Sequence, residues 1–325
     1  MRSLLRTQPA PKVDLTRNAN SERGDEAERF AAAQLLLATR SELRWGSRNE
    51  DAGKMDLELV LDHPWSEGDR IRMAVQVKSG PTYGAVAGGK VRLRKRLIDE
   101  AARETHAVCA LWVPLDRSAV YWTYVHPATR SETKDLGLLH RVTPMTRFAL
   151  TRCYSREAPG PKGGVGVNIS GKVRELSVHR STSKEEYRTL GAAPPKSPVL
   201  GRIRVTRFGW RHMFRRSRAE RNKNSSLQTI PHLRALLGQV PTTHWLQDPE
   251  QFSAGEMTHV SALHVLSYDS VRYFPPGSAE SQPRRVVIRL REDVRFPTGW
   301  EHVSMMSPLV ERRVTLLSSY HKPPR

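Results

Sequence analysis

The stretch VQVKSG, Val75 to Gly80, decides how the rest of the chain is read. Valine alternates with glutamine and lysine, the period-two pattern of a half-buried strand, and the run stops at a glycine. Extended upstream it becomes IRMAVQVK, Ile71–Lys78. Ile71, Met73, Val75 and Val77 fall on one face, Gln76 and Lys78 on the other. A second alternating run, MDLELVL (Met55–Leu61), comes just before it. The polar DHPWSEGDR between them is short enough for an antiparallel hairpin. Period-two geometry then lets Asp56, Gln76 and Lys78 converge across neighbouring strands. The apolar face resists the one-residue slip that would separate them.

These residue types suit phosphodiester hydrolysis. A hard carboxylate such as Asp56 holds Mg²⁺ or Mn²⁺. The metal polarises the phosphate and activates water. Lys78 can position that water or meet the growing negative charge. The Gln76 amide oxygen is a weaker, neutral ligand. Glu28 lies at the edge of an apolar helical stripe made by Ala27, Phe30, Ala31, Leu35 and Ala38 in the predicted helix 21–40. It is a candidate third acid, and Glu58 is a spare carboxylate on the strand face of Asp56.

Composition sets the partner class. The 325 residues carry 53 Lys and Arg against 33 Asp and Glu, a net charge of +20. A chain this basic is expected to meet a polyanion, and nucleic acid is the first expectation. No apolar run reaches membrane-spanning length and the start is too polar for a secretory signal, so a cytoplasmic protein without a membrane partner is expected. Cys109, inside HAVCALWV, reads as a buried free thiol.

The domain reading is a flexible lead-in at 1–20, an α/β domain at 21–155, a Gly/Pro-rich linker at 156–200 and a basic α+β domain at 201–325. In the first domain, VRLRKRLIDEAARETH reads as a basic helix following a glycine-rich loop. AVCALWVPLDRSAVYWTYV reads as two strands joined at PLDRS. Lys90, Arg92, Arg94 and Lys95 are candidate phosphate contacts, as are Arg211, Arg215 and Arg216 in the second domain. GAVAGGKV fits a phosphate-loop spacing but lacks the following hydroxyl and a preceding parallel strand, so nucleotide binding is not expected. His106, His126, His140, His259 and His264 show no zinc spacing with cysteines and are given no metal.

The ordered set RGDEAERF, the aspartate of KMDLELV, and VQVKSG resembles the PD-(D/E)XK nuclease superfamily. The helix motif is similar to that of archaeal Holliday junction resolvases, and the Q-x-K variant to that of Mrr-type restriction endonucleases. With D-x-G-x-x-D and VYWTYV added, residues of about 20–130 resemble the domain of unknown function 4365. That family belongs to the same superfamily and is often found in prokaryotic defence or mobile-element settings. The resemblance implies a restriction-endonuclease-like mixed sheet flanked by helices. It also implies a metal-dependent DNA endonuclease, with Asp56, Glu28 and Gln76 at the metal and Lys78 in catalysis. Gln76 stands where the family usually has an acid, and Met55 where it usually has proline. DNA is favoured over RNA, and paired strand cleavage would imply a homodimer.

Two alternatives stay open. One is a decayed nuclease-like fold that only binds nucleic acid. The other is a ribonuclease-like C-terminal domain with an accessory N-terminal module. In RFGWRHMFRR, His212 and Arg215 share a helix face. Together with Tyr320 they could support metal-free RNA cleavage, with a faint similarity to the barnase–EndoU–colicin–RelE ribonucleases. Trp210 and Phe214 read as core.

Overall fold

The computed structural model describes residues 15–45, 55–87, 90–130, 132–157, 161–171, 176–303 and 309–324. The chain is mixed α/β, as its patterning predicts. Helix α1 (Leu15–Thr39) begins it. Residues 15–20, expected in a flexible lead-in, are therefore helical, and 1–14 lie outside the described residues. Ala27, Ala31, Leu35 and Ala38 of α1 are buried, so the predicted stripe is the face that packs.

Strands β1 (Glu42–Trp45), β2 (Leu57–Asp62) and β3 (Arg70–Ser79) follow, then β4 (Gly84–Ala87), β5 (Lys90–Leu93) and helix α2 (Lys95–Ala101). Next come β6 (Val108–Val113), β7 (Tyr121–Val125) and β8 (Lys134–Leu136). The main sheet has the order β1-β2-β3-β6-β7. The hairpin is antiparallel, from Leu57↔Val75 to Asp62↔Arg70, as its short turn predicts. β3 and β6 are parallel, with α2 in the crossover, and β6–β7 is antiparallel. One face of this sheet packs on α1 through Leu57, Leu59, Ile71, Met73 and Val75. The other face is covered by α2 and the small β4-β5-β8 sheet, through Leu93, Leu97, Ile98 and Trp112.

The predicted basic helix is corrected here. Residues 90–93 form a strand, and the helix covers only 95–101. Arg94 between them has extended backbone (φ −79°, ψ 150°), which divides the two elements. Part of the preceding glycine-rich loop is also strand, β4.

The stretch expected as a linker is folded as well. After α3 (Thr146–Glu157) come β9 (Asn168–Ser170) and α4 (Leu176–Ala192). Ile169, Tyr187, Leu190, Val199 and Leu200 are buried in the C-terminal core. Gly164 is there for close approach: a Cβ on it, at φ +83°, would meet Val271 at 2.8 Å. The short strands β10 (Lys196–Ser197) and β11 (Gly201–Arg202) lead to α5 (Arg207–Met213), α6 (Glu220–Thr229) and α7 (Leu233–Leu237). The chain closes as an antiparallel meander of β12 (Thr243–Ala254), β13 (Met257–Phe274), β14 (Gln282–Pro297) and β15 (Glu311–Lys322). Leu266, Tyr268, Ile288, Leu290 and Leu316 of this sheet pack against the helices. Trp210 and Phe214 pack at the margin of that core, in line with expectation.

The two halves are joined by packing. Val260, Val294, Phe296 and Trp300 from the C-terminal part belong to the same buried cluster as Ala31, Leu57 and Val75. At the seam, Glu292 is fully buried on β14. Its carboxylate accepts from Arg152 of α3 (3.0 Å), Arg312 of β15 (2.6 Å) and His264 Nε2 of β13 (2.9 Å). His264 Nδ1 lies 2.8 Å from His244 Nε2 of β12.

Candidate active site

Asp56 stands one residue before β2, and in the hairpin register its place is opposite Gln76. Its own N–H donates to the Val75 carbonyl at 3.1 Å. Its carboxylate Oδ2 accepts from the Val77 N–H at 2.5 Å. The side chain therefore takes a strand N–H that a longer β2 would have paired, and this fixes the carboxylate at the end of the hairpin. The valines of VQVKSG hold β3 against α1. Gln76, on the opposite face, is 1% exposed. Gly80 closes the strand at φ +79°, a region open to glycine. The Gly80 carbonyl accepts from Trp112 Nε1 at 2.9 Å.

Lys78 lies on the Gln76 face, with its side chain 19% exposed. Its ammonium is 4.0 Å from Glu100 Oε2 of α2. Glu100 also accepts from Arg96 Nε at 3.0 Å and from the Tyr83 hydroxyl at 3.5 Å. The Arg96 guanidinium lies 5.3 Å from the centre of the Tyr83 ring. Burial and the Glu100 carboxylate push the Tyr83 phenol above its ordinary value. Glu100, Tyr83 and Arg96 were not legible as site residues. They come from a loop and a helix that reach β3 only through the fold, and the Arg96/Glu100 spacing alone reads as a helix-surface ion pair.

Glu28 is half-buried on α1, the helix that packs across β3. Glu58 lies on the strand face of Asp56, and Arg44 and Arg72 each approach its carboxylate at 3.9 Å. Asp51 and Gly53 of the D-x-G-x-x-D pattern lie outside the described residues. Among the described residues no three His, Cys, Asp or Glu side chains gather where they could hold one ion.

The candidate phosphate contacts fall on two surfaces. Arg92, Arg94, Lys95 and Arg96 line a cleft of about 690 Å³ with Thr82, Ala85 and Asp135. Arg92 is bound bidentately by Asp135 at 2.6 and 3.2 Å, so it offers less charge than its neighbours. Lys90 is exposed at the start of β5. Arg211, Arg215 and Arg216 are exposed in and just after α5. His212, on the same helix, is held below the ordinary imidazole value by burial and by Arg215, Arg218 and Arg289. The Arg218 guanidinium lies 5.7 Å from the centre of the Tyr320 ring, so the structure brings the remote Tyr320 to this corner.

Of the histidines given no metal, His264 is the one with a buried role, as the partner of Glu292. Cys109 and Cys153 are free, and burial pushes both thiols up. No helix among the described residues is long and apolar enough to cross a membrane. The chain matches no family model, no curated protein and no solved structure.

Proposed function

We propose that this chain is a metal-dependent DNA endonuclease built on a PD-(D/E)XK-type core related to the domain of unknown function 4365. The observation that carries the reading is Asp56, braced on the Val77 N–H, opposite Gln76 and two residues along β3 from Lys78. The element order supports it: a helix, an antiparallel hairpin, a crossover helix and a parallel strand. Asp56 and Gln76 would hold Mg²⁺ or Mn²⁺, with Glu28 as a further acid from α1. When bound, the metal supplies Lewis-acid activation of the phosphate and of water. Lys78 places a positive charge at the same strand end, and Glu100 keeps that charge oriented until a phosphate competes for it. The cleft of Arg94, Lys95 and Arg96 offers the backbone a track beside the site. A homodimer would present two such sites to the two strands of a duplex, in a cytoplasmic setting.

The pairing of Lys78 with Glu100 also favours a second reading, a nucleic-acid-binding protein on an inactive nuclease-like core. Turnover of a labelled duplex and its binding, measured on the same variants, separate the two. Asp56→Ala and Lys78→Ala should each lower cleavage by about 100-fold or more while duplex affinity changes little. Duplex binding by the wild type with no cleavage at any metal concentration would establish the second reading instead.

A further inference from the structure

Two cavities share one wall, and neither is lined by the residues around Asp56. The larger, about 620 Å³, lies at the seam between the halves, where Trp65, Phe148, Arg202, Arg204 and Arg312 line it. The smaller, about 370 Å³, lies between α4 and α5, where Lys184, Tyr187, Arg207 and Trp210 line it. Gly191, Val205 and Thr206 border both, so the two form one groove. Trp65 stands in the turn between β2 and β3 and is held by its Nε1 bond to the Pro198 carbonyl at 2.9 Å. A Cβ on Gly201, at φ +67°, would lie 2.7 Å from Trp65, so the glycine lets the indole seat. Asp56 is at the other end of that hairpin, roughly 20 Å away by the strand rise over the 6 residues of β2.

The charge of the groove has one sign. Among the described residues that line it, lysine and arginine are the only charged types. The cleft of Arg92 contains Asp135, and the cavity beside Phe252 contains Asp293 and Glu311. Lys184, Arg202, Arg204 and Arg207 are exposed, and among the described residues none of them has a carboxylate partner. Arg312 is fixed in place: its guanidinium lies 4.9 Å from the centre of the Trp65 ring and 5.0 Å from that of Phe148. Its Nε and Nη1 donate to Glu292 and to the Leu200 carbonyl, at 2.6 and 3.1 Å, and its buried Nη2 has no partner among the described residues. Glu292 is shared with Arg152, so one anion answers two guanidinium groups and the seam keeps an excess of positive charge. Cations gathered without counter-ions repel one another, and a bound polyanion relieves that cost.

Shape selects the polyanion. Each cavity falls in the range of about 300–1,000 Å³ that encloses a small organic group. Each has aromatic walls, Trp65 and Phe148 in one, Tyr187 and Trp210 in the other. A duplex keeps its bases stacked inside and offers such recesses only its phosphate rim. An unpaired strand can turn its bases into them while its phosphates follow the cations. We propose that this groove binds single-stranded nucleic acid, with neighbouring nucleotides in the two cavities and the phosphate between them crossing the shared wall at Gly191 and Thr206. Arg204 and Arg207 meet the phosphates on either side of that wall. This site goes beyond the reading of Asp56 and does not rest on it.

The test measures binding of the full chain to a fluorescein-labelled oligothymidylate and to a blunt duplex, by anisotropy in excess EDTA. Cleavage plays no part, so failure here and failure of the site at Asp56 are separate results. The double variant Arg204→Ala/Arg207→Ala should weaken strand binding by about 10-fold or more and reduce the salt slope by about 0.7 for each cation removed. Its duplex affinity should change by less than about 2-fold. Gly191→Leu narrows the shared wall without altering charge and should also weaken strand binding by about 10-fold. An abasic strand of the same length should bind about 10-fold more weakly than the thymidylate, a check that needs no altered protein. An abasic strand bound as tightly as the thymidylate, a double variant that loses strand and duplex equally, or Gly191→Leu binding the strand like wild type would each overturn the proposal.

Discussion

Asp56 and Gly84 show how much a single position decides. The Asp56 carboxylate replaces a missing strand partner and is the hard ligand of the proposed site at once. Gln76 and Lys78 were legible beside it because a strand alternates and a hairpin register follows from one short turn. Glu100 was not, because nothing local ties it to β3. From the sequence alone Gly84 belongs to a glycine-rich loop. In the structure a Cβ there would lie 2.5 Å from the Trp112 ring. Gly84→Ala should therefore destabilise by about 1–3 kcal/mol through overpacking, measured as a lower urea midpoint with an unchanged slope. A midpoint equal to wild type would mean that the indole is not seated against this turn.

Elements were legible where one period ran their whole length. β2, β3, β6 and β7 were anticipated because their apolar residues alternate or run unbroken. The stretch from Val91 to Ile98 misled because its hydrophobic residues serve two periods, Val91 and Leu93 on a strand and Leu97 and Ile98 on a helix. β13 went unread because its buried face includes His264, a residue that mimics the polar side of a strand. That histidine belongs to the ion cluster linking α3, β13, β14 and β15. Burial alone would raise the Glu292 carboxyl, but Arg312, Arg152 and His264 outweigh it and hold it well below the ordinary value. A carboxylate lowered on folding stabilises above its unfolded value, near 4.5, and loses that contribution as the pH falls through its folded value. Glu292→Gln leaves two buried guanidinium groups without their anion and should cost about 3–5 kcal/mol at neutral pH. The gap from wild type should narrow under acid, as followed by urea unfolding across pH. A constant gap would contradict the assignment of an ionised Glu292.

At the scale of the whole molecule, the expected division into two domains joined by a linker gives way to shared packing. The glycines and prolines of 156–200 looked like linker composition, yet Gly163, Gly164 and Gly171 seat turns against β13. Phe296 and Trp300 lie in the core of the N-terminal half. The full chain should accordingly unfold in one calorimetric transition, with the van't Hoff and calorimetric enthalpies equal. Two resolved transitions would show that the halves are independent. The net charge of +20 suits the proposed nucleic-acid partner. The most direct test of the account is incubation of supercoiled plasmid with wild type and with Asp56→Ala, in Mg²⁺, in Mn²⁺ and in EDTA. Nicking or linearisation by wild type in metal, abolished by EDTA and by the substitution, is the predicted result. A plasmid left intact by both proteins, or cut equally by both, would contradict a nuclease centred on Asp56.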